Sequence, residues 1–263
     1  MDKTIYFPVY VVILFLIVFI YHKKRNWLRA RHFLRTERAA IYPETSSTKI
    51  PTLIHQTWKT SELPDNFKKW SDSIKKFHPD WDYILWTDED NWNFINDHYS
   101  WFLPIYESYN QNIKRVDAVR YFYLYHYGGL YADLDFECLR PIDQLVQGIS
   151  IAFGKMGDGM CSNCIPNAIM MSVPKHKFWL FVIEKMIARV NTSRPEYETG
   201  PILLKECIDS YTDKKNITLF DCEYFYPIDW TTKKGQWYRS NIPANPREEF
   251  QNSYFVTYWT HTW

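Results

Sequence analysis

The most constraining feature of this chain is a helix-forming run that ends at a double glycine and passes at once into a strand carrying paired acids. Asn112 to Tyr127 reads as a helix, and Gly128-Gly129 closes it. Leu130-Tyr131-Ala132-Asp133-Leu134-Asp135 then reads as a strand running into a turn. The same alternation recurs along the chain. Strands are predicted at Thr52–Thr57, Tyr83–Trp86, Ser150–Phe153 and Ala168–Val173. Helices are predicted at Asp65–Phe77 behind Pro64, from Thr87 through the acidic turn Asp88-Glu89-Asp90, and at about 176–190 and 200–211. Short apolar strands alternating with helices predict an α/β fold with a mainly parallel central sheet. Ligands of such sheets gather at the carboxyl ends of the strands, where Asp133 and Asp135 fall.

Side chains two apart on an extended segment share a face, so Asp133 and Asp135 can approach one hard cation together. Oxygen ligands of this kind suit Mn²⁺ or Mg²⁺, with phosphate oxygens completing the shell. A bare D-x-D is common by chance, and solvated acids in a turn are the plainer reading. The preceding helix adds weight. Asp117 and Arg120 are three apart and lie on one helical face. They read either as a surface ion pair or as an Asp for a ribose hydroxyl beside an Arg facing diphosphate or sugar. Gly128-Gly129 allows the close backbone approach that a phosphate-bearing ligand requires.

Outside this centre the chain divides by charge. Ile5 to Tyr21 holds no charged side chain and reads as a membrane anchor of about 17 residues, near the lower limit for spanning a bilayer. No cleavage site follows it, so the reading is an uncleaved anchor over 1–21. Residues 22–40 carry seven basic side chains against Glu37 alone, and 22–49 reads as a basic juxtamembrane segment and linker. Residues 50–263 form the globular part. From 41 onward the chain has 23 basic and 28 acidic side chains, a net of −5, which argues against nucleic acid as a partner. The basic flank favours a cytosolic domain, whereas sequons at Asn191 and Asn216 favour a lumen. Cys161-Ser162-Asn163-Cys164 has no second ligand pair for zinc, and leaves a disulfide or buried thiols.

Several ordered motifs together resemble glycosyltransferase family 32, the DXD-containing sugar transferases that include yeast initiating mannosyltransferases and inositol-phosphoceramide mannosyltransferases. Ile50-Pro51-Thr52-Leu53-Ile54-His55-Gln56-Thr57-Trp58 resembles the family's opening segment. Trp86, the Asp117/Arg120 helix, Gly128-Gly129-Leu130-Tyr131-Ala132-Asp133-Leu134-Asp135, Asn167 and Thr199-Gly200-Pro201 follow in order. The resemblance implies a GT-A-like nucleotide-sugar-binding fold preceded by one transmembrane helix, a divalent metal (Mn²⁺ or Mg²⁺) and retention of anomeric configuration. It implies a nucleotide-sugar donor, GDP-mannose first and a UDP-hexose next, and a glycolipid or glycan acceptor at a membrane, in the Golgi or ER lumen. By the same analogy Asp133, Asp135 and Arg120 serve catalysis. His55, Gln56, Trp58, Asp117, Arg120, Gly129, Tyr131, Asn167 and Trp263 bind nucleotide or substrate. Trp58, which composition alone would put in the core, becomes a stacking partner for the base. The end of the chain departs from the pattern: Thr257 or Tyr258 stands where the family has a metal-binding His. Either His261 joins Asp133 and Asp135 on the metal from a shifted position, or the third ligand is absent. A metal-dependent nucleotide-sugar hydrolase and a non-catalytic sugar-binding relative are the alternatives.

Overall fold

The computed structural model describes residues 6–39, 49–157, 164–190 and 194–260. Six strands form the main sheet: β1 (Leu53–Thr57), β2 (Asp82–Trp86), β3 (Gly129–Ala132), β5 (Ile151–Gly154), β6 (Ile169–Ser172) and β7 (Ile217–Phe220), with β4 (Phe136–Cys138) and β8 (Phe255–Thr257) paired apart from them. The order across the sheet is β2-β1-β3-β6-β5-β7. β1 pairs parallel with β2 and β3, and β5 with β7, while β6 runs antiparallel between β3 and β5. The sheet is thus mainly parallel, as the alternation predicts. The exception has a physical cause: a parallel return needs a crossover unit, and no helix stands among the described residues between β5 and β6.

Around the sheet lie α1 (Tyr6–Ala39), α2 (Asp65–Phe77), α3 (Asp88–Tyr99), α4 (Leu103–Ser108), α5 (Asn112–His126), α6 (Lys177–Ala188), α7 (Pro195–Glu198) and α8 (Pro201–Ser210). Strand alternation sorts the core into two layers. Tyr131, Met170, Ile151 and Phe153 face the layer holding α5, α6 and α8. Leu130, Ala132, Met171 and Ala152 face the layer holding α2 and the β4/β8 pair. The acidic start of α3 is a capping box: Thr87 accepts from the Asp90 amide and the Asp90 carboxylate accepts from the Thr87 amide.

α5 has no solvent stripe. Eleven of its 15 residues are buried, Lys114, Asp117 and Arg120 among them. A helix sealed on nearly all sides must pair its charges internally. That removes the surface ion pair as a reading of Asp117 and Arg120.

The double glycine serves the fold more than a ligand. Gly128 and Gly129 both have positive φ, +68° and +93°. A Cβ on Gly129 would stand 2.3 Å from the Leu53 carbonyl oxygen, and one on Gly128 2.6 Å from the Pro174 nitrogen. These glycines let α5 turn into β3 while β1 and the start of the α6 segment press against the bend.

The anchor expected over 1–21 lies partly outside the described residues, which begin at residue 6. No helix among the described residues is long and apolar enough to cross a membrane. The uncharged turns continue without a break into the basic stretch as one helix, α1, and do not end at residue 21. Val11 to Val18, Ile20 and Tyr21 are exposed, whereas Ala30 and Leu34 are buried against the domain. Phe33 stacks on Trp101 at 4.8 Å, and Glu37 meets the Tyr125 hydroxyl. The segment read as a linker therefore carries helix, and its last turns dock on the core.

Candidate active site

One cavity of about 420 Å³ collects residues from six parts of the chain, Trp230 among them. α5 supplies Ile113, Asp117 and Arg120, and the turn after β3 supplies Asp133 and Asp135. Asn167 lies just before β6, Glu196 belongs to α7, and Thr257 and Trp259 come from the end of the chain. In the Asp133-Leu134-Asp135 turn the alternation holds: Leu134 is buried in the layer holding α2 and the β4/β8 pair while both acids border the cavity.

Arg120 is the hub. Its guanidinium lies 3.1 Å from Asp117 Oδ1 and 3.2 Å from Asp133 Oδ1, and donates to the Asn167 carbonyl at 2.8 Å. Its Nε donates to the Val116 carbonyl at 3.3 Å, and its plane sits 4.5 Å from the Tyr131 ring centre. Tyr131 donates to Asp133 Oδ1 at 2.7 Å. Asn167 Nδ2 donates to Asp117 Oδ1 at 2.9 Å, and Tyr121 donates to the Thr199 carbonyl. With 1% exposure, Arg120 is a strut that sets two carboxylates rather than an arm free to reach a phosphate.

Asp135 is held by the segment that follows β8. β8 pairs antiparallel with β4, placing Thr257 opposite Phe136. The Thr260 amide then donates to Asp135 Oδ2 at 3.0 Å, and the Tyr258 amide to the Asp135 carbonyl at 3.1 Å. A separate buried ion pair, Lys114 with Glu198 at 2.7 Å, fastens α7 to α5 and so fixes the wall that carries Glu196.

Charge in the cavity is unbalanced. Asp117, Asp133, Asp135 and Glu196 face a single guanidinium. Burial raises Asp117 to about 7 against the pull of Arg120, and Asp133 adds to the rise. Burial likewise raises Asp133 to about 6, with Arg120 opposing and Asp135 adding. Asp135 is raised by burial as well, against the hydrogen bonds from Thr260 and Thr257. Burial works against the Arg120 charge, but Asp133, Tyr131 and Asp117 overcome it and hold the group protonated. Carboxylates pressed toward neutrality mark a site that a bound cation would relieve.

That surplus is the fit test for a divalent metal. No cluster of three or more His, Cys, Asp or Glu side chains able to hold a metal forms among the described residues. Two carboxylates with substrate phosphates completing the shell is the usual way Mg²⁺ is held, and Asp133 and Asp135 match it. His261 and Trp263 lie outside the described residues. Thr257 and Trp259 border the cavity from the segment just before them.

Other expected ligand contacts are placed elsewhere. His55 is fully buried, with Nδ1 accepting from Trp86 Nε1 at 3.1 Å and Nε2 bonded to the Gly128 carbonyl at 2.9 Å. Burial lowers it to about 4, so it is a neutral core histidine. Gln56, also buried, donates to the Ala132 and Asp133 carbonyls at 3.4 and 3.3 Å and braces the acidic turn from beneath. Gly129 and Tyr131 are buried under the site and border neither of its cavities. Trp58 borders a second cavity of about 170 Å³ with Lys59, Asp88, Asn112 and Val116, and Ile113 borders both cavities.

Glu196, Trp230, Thr257, Trp259 and Thr260 were not expected as site residues. No periodic signal could have exposed the last three, because β8 has only three residues. Only the missing His ahead of the C-terminus pointed to that segment.

Comparison with known proteins adds to this geometry. Residues 64–150 match the family model described as the glycosyltransferase sugar-binding region containing the DXD motif. Over that region the chain is similar to the DXD-containing glycosyltransferases. It is 39% identical over 167 residues to inositol phosphoceramide mannosyltransferase 2 of Schizosaccharomyces pombe, covering 62% of this chain and 47% of that one. It is 42% identical over 137 residues to the mannosyl phosphorylinositol ceramide synthase SUR1 of Saccharomyces cerevisiae, covering 52% of this chain and 35% of that one. The chain thus spans less than half the length of either relative. Among solved structures, the PaToxG glycosyltransferase superposes with a TM-score of 0.52 at 14% identity, over 73% of this chain and 79% of that one. That likeness supports the GT-A-like fold and nothing finer.

Proposed function

We propose that this chain moves a hexose, mannose from GDP-mannose, to a hydroxyl of a glycolipid or glycan, with retention at the anomeric carbon. The observation that carries the reading is the Asp117–Arg120–Asp133 network beside Asp135 at the mouth of a cavity bordered by residues of the DXD region. The names of the yeast relatives support mannose as the sugar and a phosphoinositol lipid as the acceptor class. A divalent ion, Mn²⁺ or Mg²⁺, held by Asp133 and Asp135 would supply neutralisation of charge on the departing diphosphate. Arg120 keeps the two carboxylates of Asp117 and Asp133 in place before substrate arrives, so little reorganisation accompanies the reaction. The Trp58 cavity suits a nucleobase, with the ring as a flat apolar wall and Lys59 and Asp88 as polar ones. Asp117, which borders the first cavity, is assigned to a ribose hydroxyl in this reading.

Membrane attachment belongs to the same proposal. The exposed apolar side chains of α1 at Val11 to Val18, Ile20 and Tyr21, followed by a basic stretch, support contact with a bilayer. Lumenal placement in the Golgi or ER predicts glycan on Asn216, which is exposed; its persistent absence in cells would favour a cytosolic domain.

The test is a panel of nucleotide sugars offered to the full chain with Mn²⁺, following diphosphate release and thermal shift. Stabilisation by GDP-mannose that is lost in Asp133→Asn is expected. No stabilisation by any nucleotide, together with an inert Asp133→Asn, would sink the reading. Diphosphate release at one rate with and without acceptor would replace transfer by hydrolysis.

A further inference from the structure

A further cavity, of about 540 Å³, shares no lining residue with the two described above. Arg25, Leu28, Arg29, His32, Phe33 and Thr36 of α1 border it, together with Trp101 of the globular part. These α1 residues are three and four apart, so they form one face of the helix. Phe33 ties that face to the globular part, stacking on Trp101 at 4.8 Å and meeting Tyr99 edge-on at 5.8 Å. Glu37 also borders the cavity, about 18 Å along the helix from Arg25. It is engaged there by the Tyr125 hydroxyl, with Lys175 Nζ 4.0 Å away.

Charge at the Arg25 end of this face is unbalanced. Arg25 and Arg29 are exposed, and no carboxylate pairs with either among the described residues. Arg31, by contrast, lies 4.6 Å from the Trp27 ring centre and does not border the cavity. Position along α1 decides which anion the two guanidiniums suit. Val11 to Val18, Ile20 and Tyr21 are exposed and apolar. Arg25 follows Tyr21 by about 6 Å along the helix axis, and Arg29 by about 12 Å. The polar interface of a bilayer is about 5–8 Å deep on each face. Helical side chains also lean toward the helix N-terminus, which on α1 is the apolar end. With the apolar turns in hydrocarbon, both guanidiniums therefore fall within reach of the headgroups. Trp27 and Leu28, 47% and 51% exposed, suit the same depth.

We propose that this groove binds the headgroup of an anionic phospholipid, with its phosphate held by Arg25 and Arg29 and its glycerol end on Leu28, Phe33 and Trp101. Guanidinium forks match phosphate oxygens in paired hydrogen bonds. A lipid fits better than free phosphate, because the apolar turns of the same helix run beside its tails. The site rests on the bilayer reading of α1 and is independent of the donor reading. Built from α1 and Trp101 together, it lets a bound lipid fasten the globular part to the membrane surface.

The full chain in neutral detergent micelles, at about 0.15 M salt to screen charges beyond about 8 Å, is titrated with dioleoyl-phosphatidylglycerol or dioleoyl-phosphatidylcholine while thermal unfolding is followed. Both lipids carry the phosphodiester and neither carries inositol or a sugar, so the acceptor is not being probed. Phosphatidylglycerol is expected to raise Tm by about 3–6 °C, and phosphatidylcholine by about 1 °C or less. Arg25→Gln with Arg29→Gln should abolish the difference. Lys24→Gln with Arg35→Gln removes the same charge from exposed positions that do not border the groove, and should keep it. Equal loss in the two double variants means diffuse attraction and overturns the site. So does an equal shift from phosphatidylcholine or from inorganic phosphate. A second copy filling the groove would appear as a concentration-dependent dimer unaffected by lipid, which also overturns it. Flotation with phosphatidylcholine vesicles tests the premise separately. A chain that floats but ignores phosphatidylglycerol overturns the site alone; one that does not float overturns the bilayer reading and the site with it.

Discussion

The His55–Gln56 segment of β1 and the Asp133–Asp135 turn after β3 are neighbours, both polar and largely buried, and both belong to motifs of the resemblance. Their difference is access. Every polar atom described on the His55 side is answered from within the protein: Trp86 and Gly128 take both ring nitrogens, and Gln56 is shared among Ala132, Asp133 and Tyr83. On the Asp133 side one guanidinium answers several carboxylates, and the surplus faces a cavity. A satisfied buried network holds a fold together, whereas one left short of charge invites a ligand. Motif membership alone does not separate the two.

The sharpest way to break this comparison is Asp135→Asn. Transfer should fall by about a thousandfold or more, roughly 4 kcal/mol of barrier, while the melting temperature holds or rises because one buried negative charge is gone. A variant that melts early would move Asp135 to the structural side.

His55→Leu should do the reverse. It leaves Trp86 Nε1 and the Gly128 carbonyl without partners in the core, at a cost of about 2–4 kcal/mol in denaturant unfolding. The fraction that stays folded should keep its donor KM. A donor KM raised tenfold in folded protein would return His55 to the binding site.

Acid sharpens the same contrast. His55 is lowered to about 4 by burial, so below its ordinary value of 6.5 the unfolded chain takes a proton that the native chain refuses. Its stabilising share is complete above pH 6.5 and lost as pH falls through about 4. The stability gap between wild type and His55→Leu should therefore narrow by about 2 kcal/mol from pH 7 to pH 5. Asp117 and Asp133, raised by burial, act in the opposite sense, and comparing two chains that share them removes their part. A gap independent of pH would mean that His55 carries a proton in the fold.

The smallest effect is expected where the two regions touch. Gln56→Met removes the brace on the Asp133 carbonyl and should cost about 1–2 kcal/mol of stability, with kcat reduced severalfold and donor KM little changed. An unchanged kcat would show that the turn keeps its shape without Gln56.

Much of this was legible in residue order. Strand and helix positions followed from short-range signals, namely the Gly128-Gly129 stop, the Thr87 cap and apolar periods of two and of about four residues. Most of the elements so predicted fell within a residue or two of the observed bounds, whereas β4, β7, β8 and α4 were not predicted. The D-x-D turn was legible for the same reason, because strand alternation sends Leu134 inward and its two neighbours to the cavity.

Other features depended on contacts between residues far apart in the chain. That Arg120 is a buried strut follows from α5 being enclosed on nearly all sides, which its own composition does not reveal. That Gly129 yields to β1, and that His55 stays neutral, depends on which strand lies alongside. Thr260 reaches Asp135 across 125 positions through a three-residue strand pairing, and Trp230 meets Trp259 only because that segment returns to the sheet. Local propensity is written in neighbouring residues; burial, access and charge balance are set by what the fold brings together, and for this chain they decide which polar groups support the fold and which are left for a ligand.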